Sequence, residues 1–389
     1  MKSLTSTPFQ YMVRHRLTPV SILTKLMTVL LRGSAMEVAI GHLDQSEGAP
    51  ASPFLAADVG GTHTRIAMMR ASHDEGRKVE MLAYRKLACR DFTGLAELLQ
   101  AFVEADVRIP VRHCVLACAG QVLGDEVVND NLAWPIHLSQ LRQALGLDDI
   151  AILNDFEALG YALDGPLAHS GRHLCGPDTH RKGPTLVIGP GTGLGAAVHV
   201  PGSAGGFVLT TEAGQMDFAP NSIREREILA HLAPHGGYVE FERIVSGPGL
   251  LTVYATLCAL HGETPKLATP EAVTAAAAAC SDMHAVEALD VFCGSLGSLA
   301  GNLAMAFMAT GGVYLAGGFL SSMFALLERS TFEERFLHGR SARALLSQVP
   351  VWVTEHGRHG VLGATEWYLR RGMSGEATTR HAVAGGLTA

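Results

Sequence analysis

The chain is 389 residues long, and its composition is that of a folded protein: 48% of the residues are apolar and 17% are charged. This balance excludes a disordered or fibrous protein, and the length allows two or three domains with large cores. The net charge of −7 argues against a nucleic-acid-binding protein, which needs a basic surface. Glycine, with 43 of the 389 residues, is more frequent than its usual share of ~7%, so we expect glycine-rich loops in the fold.

Seven cysteines are spread along the chain without a C-x-x-C pair. An odd number in so long a chain argues against a disulfide framework, and the missing pair argues against a structural zinc site. Cysteine usage therefore favours a reduced, cytoplasmic protein. No uninterrupted apolar stretch reaches the ~18 residues that span a bilayer, so no membrane is expected as a partner. A nucleic acid is not expected either, because the net charge is negative.

Both ends of the chain differ in composition from its middle. Residues 1–36 contain five Lys or Arg and no acidic residue, and a linker rich in small residues follows at 48–53. We expect residues 1–53 to form a disordered N-terminal extension; a transit peptide, or a leader upstream of a start at Met36, is the alternative. Residues 372–389 are small and polar, which predicts a disordered tail.

Predicted structure begins at Phe54, where a buried strand leads through Gly60 and Gly61 into a second strand. Hydrophobic periodicity then indicates alternating strands and helices. Up to residue 163 it predicts strands over 54–59, 65–69, 79–87, 112–119 and 150–153, and helices over 92–104, 139–145 and 155–163.

The same unit of strand, glycine turn and two further strands starts again at residue 185. One unit in each half of the chain indicates an internal duplication. The second half predicts strands over 185–188, 196–200, 206–211, 312–316 and 350–354, and helices over 222–232, 249–261, 270–280, 284–310, after Gly317-Gly318, and over 362–371. The whole pattern is that of an α/β protein.

Two glycine-rich hairpin turns, around Gly60 and Gly191, suggest two walls of backbone N–H groups that face one phosphate ligand. For either turn alone, a tight hairpin without a ligand is the alternative. A P-loop is excluded, because no G-x-x-x-x-G-K-[ST] motif occurs. A dinucleotide-binding turn is disfavoured, because residues 191–195 lead into a strand that ends at Pro201 and not into a helix.

Six motifs resemble those of the bacterial glucokinase family, within the actin/hexokinase/Hsp70 superfamily. They occur in the family's order across residues 54–371, and this order is more specific than any single motif. They are residues 54–65 (the first phosphate motif, D-V-G-G-T-N-x-R), 153–156 (I-N-D-F), 189–195 (G-A-G-T-G-L-G), 212–221 (E-G-G-H-x-D-F-A-P), 242–249 (E-R-x-L-S-G-P-G) and 312–318 (the adenosine-side strand and turn).

This resemblance implies an actin-like (ribonuclease H-like) duplicated α/β fold of two domains with a cleft between them. The smaller domain would comprise residues 54–165 and 356–371, and the larger would comprise residues 166–355. The implied reaction is phosphoryl transfer from ATP, with Mg²⁺, to glucose or a related hexose. A homodimer is the implied assembly.

The resemblance also implies roles for individual residues. Asp155 would be the general base for the sugar 6-hydroxyl, although a helix N-cap is its alternative because it follows a strand and opens a helix. Asp58 would orient the water shell of Mg²⁺. The residues implied to contact the sugar are Asn131, Asn154, Glu212, Gln215 and Glu242, and those implied to line the nucleotide are Ala57, Asp58, Val59, Gly60, Gly61, Thr62, Gly191, Thr192, Gly193, Gly317 and Gly318.

Three positions depart from the family's pattern. His63 stands where the family has Asn, Gln215 stands where it has His, and residues 117–120 (A-C-A-G) replace the strand end A-C-P. The retained Asp155 favours an enzyme. His63 and Gln215 leave two alternatives open: a kinase for another hexose or amino-sugar, and a catalytically weak regulator that senses sugar.

Overall fold

The computed structural model describes residues 52–71, 79–107, 109–128, 132–165, 167, 170–203, 205–339, 341–355 and 357–373. The extension expected at 1–53 lies outside the described residues, except for Ser52 and Pro53. So does the expected tail beyond Met373. The tail prediction is wrong for residues 372 and 373, because the last helix continues through them to Met373.

Every strand and helix predicted up to residue 163 is present, with ends shifted by three residues or fewer. Three strands of two or three residues form a small separate sheet, and they are too short to give a periodic pattern. The elements of this part are β1 (Phe54–Val59), β2 (His63–Ala71), β3 (Val79–Ala88), α1 (Leu95–Phe102), β4 (His113–Cys118), β5 (Gln121–Leu123), β6 (Glu126–Val128), β7 (Ile136–His137), α2 (Leu138–Leu145), β8 (Asp149–Leu153) and α3 (Asp155–Ala162).

The rest of the chain adds six strands and nine α-helices among the described residues. Side-chain caps on Ser222, Ser246, Thr269 and Asp282 start the four longer helices before residue 310. The elements are β9 (Arg172–Cys175), β10 (Thr185–Pro190), β11 (Leu194–Val200), β12 (Phe207–Thr211), α4 (Ile223–Leu232), α5 (Gly247–Leu260), α6 (Pro270–Ala278), α7 (Met283–Ala306), β13 (Gly312–Ala316), α8 (Gly318–Ser322), α9 (Phe324–Glu328), α10 (Phe332–Phe336), α11 (Arg343–Leu346), β14 (Val351–Thr354) and α12 (His359–Met373).

The two larger sheets share one strand order. The first is β3-β2-β1-β4-β8 and the second is β12-β11-β10-β13-β14-β9. In each, the first three strands are antiparallel and the next two run parallel to the central strand, β1 or β10. The second sheet adds β9 as an antiparallel edge strand. The repeat in the sequence is therefore also a repeat of sheet topology.

The carboxyl ends of three parallel strands meet at one edge of the first sheet. Asp58 of β1 lies opposite Ala117 of β4, which in turn lies opposite Leu153 of β8. Cys118, the last residue of β4, and Asn154, which follows β8, lie at the same edge as Asp58. Ligands of open α/β sheets bind at this end of the strands.

Helix α3 lies between the two larger sheets. Its Ala158 is buried in the core beneath the first sheet, and its Leu159 and Ala162 are buried in the core beneath the second. Helix α12 crosses α3 closely, because a Cβ on Gly363 would lie 1.7 Å from the Ala158 carbonyl oxygen. The absence of a side chain at this crossing lets α3 fit between the sheets.

Helix α7 is the longest element of the described chain. Its 24 residues are long and apolar enough to cross a membrane, and 78% of its most apolar window is buried in the fold. It packs against α5, α6 and α10. Polar residues such as Glu287 and Asp290 interrupt its apolar run. This helix therefore does not contradict the expectation that no uninterrupted apolar stretch reaches ~18 residues.

Replacing Gly363 with Ala should destabilise the protein, because the added methyl group would overlap the Ala158 carbonyl. Overpacking of this kind costs about 1–3 kcal/mol of unfolding free energy. We expect the melting temperature to fall by several degrees, measured by differential scanning calorimetry. Gly165→Ala is the matched control, because a Cβ there makes only an ordinary contact of 3.8 Å with the Ala162 carbonyl oxygen. Equal melting temperatures for the two variants would contradict the packing.

Candidate active site

Two carboxylates meet a buried thiol at the edge where β1, β4 and β8 end. Asp58 is 4% exposed and Asp155 is half-buried. Burial raises the pKa of the Cys118 thiol to about 12, and the charges of Asp155 and Asp58 add to the rise. The thiol is therefore neutral at physiological pH. The structure therefore places Asp58 and Asp155 at the same edge of the first sheet.

The start of α3 is capped by Asn154 and not by Asp155. The Asn154 Oδ1 atom accepts hydrogen bonds from the N–H groups of Phe156 (2.9 Å) and Glu157 (3.2 Å). Asp155 is the first helical residue, and its Oδ1 accepts the Phe156 N–H at 3.0 Å. The N-cap alternative for Asp155 is therefore wrong. Its carboxylate lies at the positive end of the helix dipole, which favours the ionised form.

Glu157 completes the helix start, and the sequence analysis did not single it out. Its carboxylate accepts the Asn154 backbone N–H, which lowers its pKa, but burial outweighs this bond and raises the pKa overall. The Asn154 side chain thus satisfies the Glu157 backbone N–H, and the Glu157 carboxylate lies near the Asn154 backbone N–H. The spacing of a capping residue and Glu three positions later is a recognisable signal for this arrangement.

Asp58 lies just before the first glycine turn and is contacted by Arg65 and by the first turn of α12. Arg65 Nη1 lies 3.3 Å from Asp58 Oδ2. A Cβ on Gly360, in the first turn of α12, would lie 2.7 Å from the Asp58 carboxyl carbon. No group of three or more His, Cys, Asp or Glu residues in the described chain could hold a metal ion. One carboxylate suits Mg²⁺ bound mainly by phosphates and water.

Cys89 stabilises the first glycine turn, Gly60–Thr62, through two hydrogen bonds. The Cys89 thiol donates to the Gly60 carbonyl at 3.2 Å, and its backbone N–H donates to the Thr62 carbonyl at 2.9 Å. The Gly60 N–H donates to His63 across the hairpin. The sequence analysis missed this role of Cys89, because the contact joins residues 29 positions apart.

The second glycine turn, Gly191–Gly193, is closed by its own hydrogen bond and by Glu242. The Gly191 N–H donates to the Gly193 carbonyl at 2.7 Å, and the Gly191 carbonyl accepts the Gly247 N–H at 2.8 Å. Glu242 Oε2 accepts the Leu194 N–H at 2.7 Å. Glu242 therefore lies beside the turn, with one carboxylate oxygen used to hold it.

The glycines of this motif have different tasks. A Cβ on Gly195 would lie 2.0 Å from the ring of Phe156, and a Cβ on Gly189 would lie 2.8 Å from it. A Cβ on Gly193 would lie 2.7 Å from Glu242. Only Gly191 of these four faces open space, and the neighbouring residue, Thr192, is exposed. The tip of the turn is thus the part that is free to meet a ligand.

Glu212 and Gln215 lie on the short turn that follows β12, and both are exposed. This turn packs against β11 and against the turn that carries Glu242. The Phe241 N–H donates to the Met216 carbonyl at 2.9 Å, which ties the two turns together. The structure therefore gathers these three predicted sugar-binding residues next to the second glycine turn.

The remaining predicted residues are placed as follows. Gly317, whose φ of 141° only glycine adopts readily, is the N-cap of α8, and Gly318 faces open space. The side chains of Ala57 and Val59 are buried in the core of the first sheet and support Asp58 between them. Asn131 lies outside the described residues.

His63 follows the first glycine turn at the position where the family pattern has Asn. Desolvation lowers the pKa of its imidazole, and the positive charges of Lys86, Arg65 and Arg90 lower it further. The free protein therefore keeps His63 neutral at pH 7. A neutral imidazole can donate one hydrogen bond and accept another.

Comparison with known proteins gives consistent matches. A family model described as Glucokinase matches residues 55–371. The Glucokinase-like protein of Xylella fastidiosa strain 9a5c is 42% identical, over 82% of this chain and 95% of that protein. The Glucokinase of Marinobacter nauticus is 36% identical, over 80% and 96%. The crystal structure of a glucokinase from an Antarctic psychrotroph superimposes with a TM-score of 0.70 at 28% identity, over 82% and 99%.

We expect His63 to titrate below its ordinary pKa of 6.5 in the free protein. NMR titration measures its midpoint, with a His63→Asn variant to assign the signal. Between the two pKa values the unfolded chain binds a proton that the folded chain does not. The contribution of His63 to stability is therefore retained above pH 6.5 and lost as the pH falls below it. A midpoint above 6.5 would contradict the electrostatics described.

Proposed function

Because the chain belongs to the glucokinase family, we propose that it transfers the terminal phosphoryl group of ATP to the 6-hydroxyl of glucose. The products are ADP and glucose 6-phosphate. The observation that carries the proposal is the position of Asp155 at the start of a helix that lies between two sheets. The central strand of each sheet ends in a glycine turn.

Asp155 acts as the general base. Its position at the helix N-terminus favours the carboxylate, which is the form that accepts a proton. Its Oδ1 accepts the Phe156 N–H, which orients the carboxylate that takes the proton of the sugar 6-hydroxyl. Phosphoryl transfer depends mostly on positioning and charge neutralisation, so one such carboxylate is sufficient.

The two glycine turns bind the phosphates through backbone N–H groups. Both turns are held in place before a ligand arrives, the first by Cys89 and the second by Glu242 and Gly247. Such preorganised donors stabilise charge without reorganisation during the reaction. Asp58 is the carboxylate that would orient the water shell of Mg²⁺, and the ion would supply further charge neutralisation. The turn at Gly317–Gly318 faces the adenosine.

Asn154, Glu212, Gln215 and Glu242 hold the sugar hydroxyls, together with Asn131. Asn154 uses its Oδ1 as the helix cap, which leaves its Nδ2 to donate to a hydroxyl. Glu242 uses Oε2 to hold the second glycine turn, which leaves Oε1 to accept from one. Residues that bind sugar therefore also shape the catalytic helix and the phosphate turn.

The repeated sheet topology supports an actin-like fold duplicated into two domains. In this proposal residues 54–165 with 356–371 form the smaller domain, residues 166–355 form the larger, and the substrates bind in the cleft between them. The protein acts in the cytoplasm, as a homodimer, and needs neither a membrane nor a nucleic acid. The buried neutral thiols fit a reducing compartment.

A coupled ADP-release assay over a panel of hexoses and amino-sugars tests this function. We expect turnover of glucose to exceed that of the other sugars. A higher kcat/KM for another sugar would replace glucose as the substrate. If ATP binds and no sugar is phosphorylated, the function is that of a sugar-sensing regulator instead.

Replacing Asp155 with Asn should lower kcat by about 10²- to 10⁴-fold, because Asn cannot take the proton. The fold should be unchanged, since Asn154 is the residue that caps α3. Circular dichroism and melting temperature check the fold. Asp148→Asn is the matched control, because its carboxylate is 65% exposed and lies away from the site. Parent-like turnover by Asp155→Asn would refute the proposed mechanism.

Replacing Gln215 with His restores the residue of the family pattern and should lower the KM for glucose. A well-made hydrogen bond in place of a poorer one contributes about 0.5–1.5 kcal/mol, or roughly 2- to 12-fold in affinity. The exposed position of Gln215 makes the variant tolerable for the fold. Steady-state kinetics with glucose measure the effect. An unchanged KM, alone and together with His63→Asn, would remove Gln215 from the sugar site.

A further inference from the structure

Phe156 contacts both parts of the site described above. Its backbone N–H donates to Asp155 Oδ1 at 3.0 Å and to Asn154 Oδ1 at 2.9 Å. Its ring lies against Gly189 and Gly195 of the second sheet. A single residue therefore joins the carboxylate of the candidate base to the strands that carry a phosphate turn.

The ring contact is made to a surface that has no side chains. Gly189 of β10 and Gly195 of β11 are directly paired across the hairpin. A Cβ on Gly195 would lie 2.0 Å from Phe156 Cδ2, 2.1 Å from Cε2 and 2.7 Å from Cγ. A Cβ on Gly189 would lie 2.8 Å from Cζ. The ring thus occupies the space that two side chains would otherwise fill.

This contact is immediately below the tip of the second glycine turn. The pair Pro190 and Leu194 follows the glycine pair, and Gly191–Gly193 form the turn itself. The Leu194 N–H is bonded to Glu242. A shift of the ring would therefore displace the base of the phosphate turn and, through the N–H of the same residue, the Asp155 carboxylate.

We infer that Phe156 is a positioning residue that sets the separation between the Asp155 carboxylate and the phosphate turn at Gly191–Gly193. The inference rests on the proposed function, because it concerns the geometry of that reaction. Phe156 touches neither substrate in this assignment. It acts through Asp155 on one side and through the strands of the turn on the other.

Core packing alone makes a different prediction. Leu159 is on the same helix and is fully buried in the same hydrophobic cluster as the ring of Phe156. If Phe156 only filled space, its truncation would act as Leu159→Ala does and lower the melting temperature without changing kcat. If Phe156 positions Asp155, its truncation lowers kcat beyond any effect on stability.

A size-exchange cycle tests the contact. The variants are Phe156→Ala, Gly195→Ala and the double variant, with Phe156→Leu as the conservative change and Leu159→Ala as the packing control. Melting temperature, kcat, and the KM values for ATP and glucose are measured for each. Misplacement of a reacting group by about 1 Å costs on the order of a hundredfold in rate.

We expect Phe156→Ala to lower kcat by about ten- to a hundredfold, with smaller changes in both KM values, and Phe156→Leu to recover part of the loss. Gly195→Ala should lower kcat similarly in the parent. In the Phe156→Ala background it should add almost nothing, because the ring that it meets is gone. Leu159→Ala should lower the melting temperature and keep kcat close to that of the parent.

A kcat of Phe156→Ala within about twofold of the Leu159→Ala control would overturn the inference while leaving the proposed function in place. Additive losses in the double variant would also overturn it. If the single variant Gly195→Ala does not fold, the kcat values of Phe156→Ala, Phe156→Leu and Leu159→Ala test the inference. A parent protein that phosphorylates no hexose would overturn the proposed function itself, and with it this inference.

Discussion

The site depends on one constraint: α3 must fit between two β-sheets with its first turn at the edge where strands end. The fit is possible because residues without side chains line its path. Gly363 of α12 lets the helix approach on one side, and Gly189 and Gly195 accept Phe156 on the other. In both contacts the packed atoms lie directly against a glycine backbone, so α3 cannot shift relative to α12 or to the second sheet without a steric clash. The position of Asp155 therefore depends on these two glycine contacts.

The far end of α3 is anchored by charge. Asp164 lies 2.7 Å from Arg370 of α12, and His199 of β11 lies 3.0 Å from the same carboxylate. Burial alone would raise the pKa of Asp164, but the neighbouring His199 and the hydrogen bond from Arg370 lower it below its ordinary range. Arg370 also bonds Glu366 of its own helix and the Gly205 carbonyl. The network ties α3, α12 and the second sheet together, so packing holds one end of α3 and ion pairs hold the other.

The sequence predicts much of this architecture, because strands such as β1, β10 and β13 are mostly apolar and glycine turns follow them directly. The sequence predicts less about the structural role of each residue in the site. Asn154 and Asp155 are adjacent, and only the backbone geometry distinguishes the cap from the first helical residue. The support of Gly60 by Cys89 and the seat of Phe156 on Gly195 join segments that are distant in the chain. No local pattern encodes such contacts, since they arise only when the sheets and helices have assembled.

The central claim is that Asp155 and the two glycine turns converge on one reacting centre. A crystal structure with glucose and a non-hydrolysable ATP analogue tests it most directly. The account predicts the Asp155 carboxylate at about 2.6–3.2 Å from the sugar 6-hydroxyl, with the nucleotide phosphates on the turns at Gly60–Thr62 and Gly191–Gly193. Phosphates bound elsewhere, or a sugar whose 6-hydroxyl faces away from Asp155, would contradict it.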